Sequence, residues 1–225
     1  MAQRSTRILD DAPDGYTGEW RFTVPAVELS IYLPSLVQQV AEAGGERIRR
    51  RLDRLSEVAG LAPTMVNATG LAAGQLAGDP AVHPIRGRTV LVTNPGLTTS
   101  VRDEGHPDGL TYIHPRSQDI VLGGTFEPGV WDLTTDDVES RAIVDRCTAL
   151  VPELADARVI TTRAGLRPGR DGGPRLELDS EPRLDARPGP GRTPEPGPRL
   201  IHNYGHGGAG MTLSWGCDDD VVTPL

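Results

Sequence analysis

The residues best suited to chemistry lie late in the chain, in Leu200-Ile201-His202-Asn203-Tyr204-Gly205-His206-Gly207-Gly208-Ala209-Gly210-Met211-Thr212. Four glycines within six positions let the main chain turn sharply and let a ligand touch it. A short apolar strand precedes the turn and a helix follows it. Unpaired N–H groups and the positive end of the helix dipole therefore meet at one place. That suits a phosphate, a carboxylate or the anionic edge of a cofactor ring. A tight strand-to-helix turn without a ligand is the competing reading. Arg167, in Ala164-Gly165-Leu166-Arg167-Pro168, offers a planar two-pronged donor that matches a carboxylate. Taken alone, it reads more safely as half of a surface ion pair. Tyr112, in Thr111-Tyr112-Ile113-His114-Pro115-Arg116, is either a hydroxyl supporting such an arginine or a strand aromatic with its tip at the surface.

Alternation from Trp20 to Val24 predicts a strand. Tyr32 to Ala43 is an amphipathic helix with Leu33, Leu36, Val37, Val40 and Ala41 on one face, Pro34 in its first turn and Gly44-Gly45 at its end. Glu46 to Leu52 is an arginine-rich, strand-like run, and Arg49, Arg50 and Arg51 read as an exposed basic face rather than an anion site. Thr64 to Gly70 is a short buried strand entering a helix at residues 71–76. Further strands are expected at residues 88–92, 111–114, 119–122, 158–164 and 175–178. A helix from Thr135 to Leu150 carries Asp136 and Asp137 in its first turn. Residues 1–14 form a disordered lead-in. Residues 179–198, rich in proline, glycine and charge, form an exposed loop, read as a tolerated surface insertion in preference to an active-site lid.

The chain has 225 residues, enough for one sizeable core, with or without a small second lobe. A net charge of −8 gives no electrostatic case for nucleic acid. Cys147 and Cys217 lack metal-ligand spacing and read as reduced thiols, so no metal site is expected. No apolar run is long enough to cross a bilayer. Met1 to Asp14 has no signal-peptide core, and Thr223-Pro224-Leu225 is not a peroxisomal ending of the Ser-Lys-Leu type. The expected location is the cytoplasm.

The run from Ile201 to Gly216, Ile-His-Asn-Tyr-Gly-His-Gly-Gly-Ala-Gly-Met-Thr-Leu-Ser-Trp-Gly, resembles the C-terminal signature of the D-amino-acid oxidase family, which includes D-aspartate oxidase. The resemblance extends from about Gly15 to Cys217. It implies FAD as cofactor, with Gly207, Gly208, Ala209, Gly210, Met211 and Thr212 against the flavin. Asn67-Ala68-Thr69-Gly70 resembles the family's Asn-x-Thr-Gly turn, which places Thr69 on the adenosine side, and Leu52 matches an apolar position beside the adenine. Arg167 stands where the family's substrate arginine stands, in contact with substrate and cofactor, and Tyr112 matches the supporting tyrosine. Asp108 occupies the region where some members carry a second tyrosine, a departure from the family on the lid side of the pocket.

The implied reaction is oxidation of a D-amino acid by dioxygen to a 2-oxo acid, ammonia and hydrogen peroxide. In the family the Cα hydrogen leaves as hydride to the flavin, so Tyr112, Arg167 and Gly208 serve by orientation and electrostatics. His202 and His206 then need not act as bases, and His206 reads as a packing and turn residue. The family's N-terminal Gly-x-Gly-x-x-Gly segment, which holds the FAD pyrophosphate, is not found at the end of a first strand. The expected fold is therefore α+β. An antiparallel, twisted-sheet substrate domain (85–198) joins an incomplete Rossmann-like FAD-binding remnant (15–84 and 199–225). Two functions stay open: a truncated oxidase, or a non-catalytic remnant of that fold with little or no flavin binding. A homodimer is left open as well.

Overall fold

The computed structural model describes the backbone of Arg4–Arg7 and residues 15–180 and 198–223. In chain order the elements are β1 (Arg4–Arg7), β2 (Glu19–Phe22), α1 (Leu29–Glu42), β3 (Thr64–Asn67), α2 (Ala73–Leu76), β4 (Val82–Val92), β5 (Val101–Asp103), β6 (Thr111–Pro115), β7 (Ile120–Gly123), β8 (Glu127–Pro128), α3 (Asp137–Leu150), β9 (Val159–Arg170), β10 (Arg175–Leu178), β11 (Arg199–Tyr204) and α4 (Gly210–Val222). Arg4–Arg7, inside the expected lead-in, pair with β2. The rest of residues 1–14, and residues 181–197 of the expected loop, lie outside the described residues.

β4 is the strand on which the larger sheet is built. It pairs antiparallel with β7, β8 and, along nearly its whole length, β9. β6 continues the sheet from β7, and β5 from β6. Both long strands exceed the expected segments, β4 starting at Val82 and β9 running on to Arg170. Neither Pro84 nor Pro168 interrupts them. The two prolines lie directly opposite each other in the register. The expected domain boundary at 84/85 falls inside β4.

One face of this sheet is covered by α3. Val90, Val92, Ile113, Ile120 and Leu122 close on Ile143, Cys147 and Leu154, all at most 2 % exposed. Burying side chains of this size contributes about 1.5–3 kcal/mol each. Asp136 is the N-cap of α3 rather than a first-turn residue, and its carboxylate accepts from the N–H groups of Val138 and Glu139. Burial pushes the Cys147 thiol up to about 11, against the opposing pull of its contacts with the Gly123 and Tyr112 carbonyls and of Arg146.

A smaller sheet has the order β10-β11-β3, with β11 antiparallel to β10 and parallel to β3. The sheets are tied by Asp79, which accepts from Arg170 Nε at 2.8 Å and from the Tyr204 hydroxyl at 2.9 Å. Burial works against the Asp79 carboxylate, but these two bonds prevail and hold its pKa below the usual range. The architecture is mixed α and β with antiparallel sheets, as expected.

Glu46–Leu52 is not a strand, a correction to the sequence reading. Its charges close locally instead, Arg51 on Asp53 and Arg50 on Glu57, beside a 3-10 turn at Leu55–Val58. Among the described residues no strand pairs with it. The predicted helix is present as α1 and ends at Gly44-Gly45, but none of its residues is buried.

Candidate functional site: a glycine turn beside an arginine and a tyrosine

β11 delivers the chain to Gly205, whose φ of +83° is a left-handed conformation that glycine takes without strain. A Cβ there would also lie 2.7 Å from the Arg170 Cβ. A 3-10 turn at Gly207–Ala209 follows, and α4 begins at Gly210. The turn packs against β9. It forms one wall of a cleft of about 410 Å³, with Leu166, Arg167 and Pro168 opposite and Ala68 and Gly70 of the Asn67–Gly70 turn at its end. A Cβ on Gly208 would lie 3.6 Å from the Arg167 Cδ, so any side chain there would enter the cleft.

The register explains how Arg167 and Tyr112 come together, although 55 positions separate them. Directly paired residues of antiparallel strands present their side chains to the same face. Tyr112 pairs with Gly123, Gly123 with Thr89, and along β4 Ile85 pairs with Arg167. These residues occupy the face opposite α3. Gly87 and Gly123 supply the space between them. A Cβ on Gly87 would overlap the Arg167 guanidinium, and one on Gly123 would overlap the Tyr112 ring.

Arg167 Nη1 donates to the Thr125 carbonyl at 3.3 Å, and the positive charge of the guanidinium acts on the Tyr112 hydroxyl. Burial raises the Tyr112 pKa and Arg167 opposes the rise. The net shift is upward, so the hydroxyl keeps its proton at neutral pH. His114 stacks on Tyr112 with ring centroids 4.9 Å apart. Burial, and then Arg102, lower its pKa and so favour the neutral imidazole.

Gly207, Gly208, Gly210, Met211 and Arg167 line the glycine cleft. Ala209 and Thr212 belong to the same turn and first helical turn without lining it. Leu52 and Thr69 line a second, apolar cleft of about 220 Å³ with Leu55, Met65 and Val66. The two clefts meet at the Asn67–Gly70 turn. His206 precedes the 3-10 turn, lines the glycine cleft and has its Nε2 3.5 Å from the Cys217 thiol. His202 faces neither cleft. It is 1 % exposed and bonded at both ring nitrogens. Asp108 is exposed, its N–H on the His106 ring. Sequence reasoning missed Gly87, Gly123 and Thr125, because their part depends on strand register. Among the described residues no cluster of potential metal ligands occurs, and no helix is long and apolar enough to cross a membrane.

The sequence model of the FAD dependent oxidoreductase family matches residues 3–222, and the chain belongs to that family. Within it, the chain is similar to a D-amino-acid oxidase of Rubrobacter xylanophilus, 46 % identical over 213 residues, covering 95 % of this chain and 61 % of the relative. It is similar also to the human D-aspartate oxidase, 39 % identical over 195 residues, covering 87 % of this chain and 53 % of the relative. A glycine oxidase of Geobacillus kaustophilus matches in structure with a TM-score of 0.57 and 26 % identity, over 70 % of this chain and 40 % of that one. The chain thus spans little more than half the length of the curated relatives it matches. The family's cofactor is FAD, and the glycine cradle, open to a ligand because position 208 has no side chain, fits its anionic ring edge.

Proposed function

We propose that this chain carries the substrate site and two cofactor contacts of an FAD-dependent D-amino-acid oxidase. The observation that carries the reading is the position of Arg167, on the same sheet face as Tyr112 and with its stem beside Gly208. In this reading residues 85–198 form the substrate side, and residues 15–84 and 199–225 the FAD side. The Arg167 fork takes the α-carboxylate and the protonated Tyr112 hydroxyl donates to it. Fixing the carboxylate at Arg167 presents the substrate's Cα toward Gly208, and orientation of this kind lowers the barrier without a protein base.

Gly207, Gly208, Gly210 and Met211 would hold the flavin edge, with Thr69 and Leu52 on the adenosine side. Bound FAD would take two electrons from the amino acid and pass them to dioxygen. The helix N-terminus at Gly210 favours negative charge on the ring. The products are hydrogen peroxide and an imino acid that hydrolyses to a 2-oxo acid and ammonia. The pyrophosphate would rest on parts of the relatives' length that this chain does not span, so the 225 residues alone bind FAD weakly. The proposed location is the cytoplasm.

Peroxide formation tests this, measured on the purified protein with excess FAD and with D- or L-alanine. D-alanine-dependent peroxide that requires added FAD supports the reading. Folded protein that makes no peroxide at any FAD concentration, or makes it equally from both enantiomers, contradicts it.

A further inference from the structure

A line of four side chains runs through the smaller sheet, and its hydrogen bonds have only one consistent direction. The Asn67 side chain lies between Thr69 and His202. Thr69 presents two donors to it, the backbone N–H at 3.3 Å and the hydroxyl at 2.7 Å. A backbone N–H can only donate, so the group facing Thr69 is the amide oxygen of Asn67. The amide nitrogen then faces His202, 3.2 Å from Nδ1. That nitrogen is also only a donor, so Nδ1 of His202 is the unprotonated position. The remaining ring nitrogen, Nε2, carries the proton and donates to Asp179 at 3.1 Å. Only one of the two neutral tautomers fits, and the imidazolium does not.

We propose that His202 is the positioning residue of the Asn67–Gly70 turn: its neutral ring holds the Asn67 amide oxygen on Thr69, and a proton added at Nδ1 turns the amide over and releases Thr69. The turn is where the consequence is felt. Ala68 and Gly70 line the glycine cleft while Asn67 and Thr69 line the apolar one, so both lose their shared end when the amide reverses. Asn67 and His202 are 2 % and 1 % exposed, so the amide exchanges bonds only with the groups already beside it, whereas Thr69 is exposed and its released N–H turns to solvent, which frees the turn.

Among the described residues the charged and titratable groups acting on the ring are Asp179, Glu177 and Arg175. Asp179 and Glu177 favour its proton, and Arg175, on the same strand as Glu177, opposes it. Tyr204 of β11 meets the ring edge-on at 5.5 Å between centroids, and Asn67 of β3 is neutral. Burial is the largest influence and lowers the pKa below its ordinary 6.5, consistent with the neutral ring that the bonding demands.

The relay is tested first without ligand, by NMR titration of the His202 imidazole. In the native protein it titrates below 6.5, as the Nε2–H tautomer. In Asn67→Asp a carboxylate accepts from both neighbours, and the midpoint moves above 6.5. The second arm rests on the FAD reading above. FAD affinity of the native protein falls on acidification, by up to about tenfold per pH unit below the His202 midpoint. His202→Asn keeps a carbonyl acceptor at the Nδ1 position and cannot titrate. It holds FAD within about threefold of the native protein at pH 7.5 and shows no such fall. A native His202 that titrates at or above 6.5, a midpoint unmoved by Asn67→Asp, or the same acid dependence in His202→Asn overturns the proposal. Should no protein bind FAD at any pH, the NMR titration alone decides the relay, and the failure belongs to the proposed function.

Discussion

α1 and α3 are both fourteen-residue helices, and the sequence makes α1 the better amphipath. Its Leu33, Leu36, Val37, Val40 and Ala41 form an apolar stripe, whereas α3 mixes Ile143 and Cys147 with aspartate, glutamate and arginine. Yet α3 is the one that closes a core. Ile143 and Cys147 are fully buried against the sheet, while Ile31, Leu33, Val37 and Val40 are between 44 and 61 % exposed. Helical periodicity specifies the element and the face that would bury. It does not specify what buries it, because the covering surface comes from elsewhere. For α3 that surface is β4, β7 and β6, side by side in the sheet. For α1 no described residue supplies it. The side-chain tie from α1 to α4 among the described residues, Trp215 Nε1 donating to the Tyr32 hydroxyl at 3.1 Å, is at the surface.

The largest expected effect sharpens the contrast directly. Ile143→Ala removes a fully buried side chain between α3 and the sheet and should cost about 2–5 kcal/mol, read as a lowered denaturation midpoint in urea. An Ile143→Ala protein of native stability would break the comparison.

Next is the site that the same sheet holds on its other face. Arg167→Ala should weaken binding of a substrate carboxylate by about 2–4 kcal/mol, because the loss of a two-pronged charged donor leaves its partners unmatched. Isothermal titration with the D-amino acid or its 2-oxo acid reads this, and stability in urea should change far less than for Ile143→Ala.

A smaller effect concerns the link between the sheets. The folded-state pKa of Asp79 is lowered, so its contribution to stability is complete above its ordinary 3.8 and is lost as pH falls through the lower folded value. Asp79→Asn should therefore flatten the acid limb of the stability curve below about pH 4 while leaving its slope near neutrality unchanged. The smallest effect belongs to α1. Val37→Ser should change stability by no more than about 0.5 kcal/mol in the 225-residue chain, and a loss comparable to that of Ile143→Ala would show that the stripe is covered.

Much of the site was legible because its residues sit in contiguous, unusual runs. The Gly205–Gly210 turn announces itself by composition, and Arg167 and Tyr112 by short patterns around them. Their meeting was legible only through the resemblance to a family. Nothing local in the sequence places Arg167 over Gly87 or Tyr112 over Gly123, since both depend on which residues β4, β6, β7 and β9 pair across the sheet. The same limit explains the arginine-rich run at Glu46–Leu52. A strand-like pattern needs a partner strand, and here the arginines instead found Asp53 and Glu57 within a few residues. His202 shows the converse. Its residue type suggested a base, and only the burial and two fixed hydrogen bonds show a ring committed to the turn beside it.

The account's central claim is that Arg167, Tyr112 and the glycine turn make one site against the flavin. Difference absorption spectroscopy tests it most directly, with FAD in excess and a 2-oxo acid such as pyruvate as the titrant. A carboxylate held by Arg167 lies beside the ring and should perturb the flavin bands saturably in the native protein. In Arg167→Ala the perturbation should need at least about thirtyfold more titrant, the lower end of the loss predicted above. An Arg167→Ala protein that gives the native titration curve would contradict the claim and place the carboxylate elsewhere.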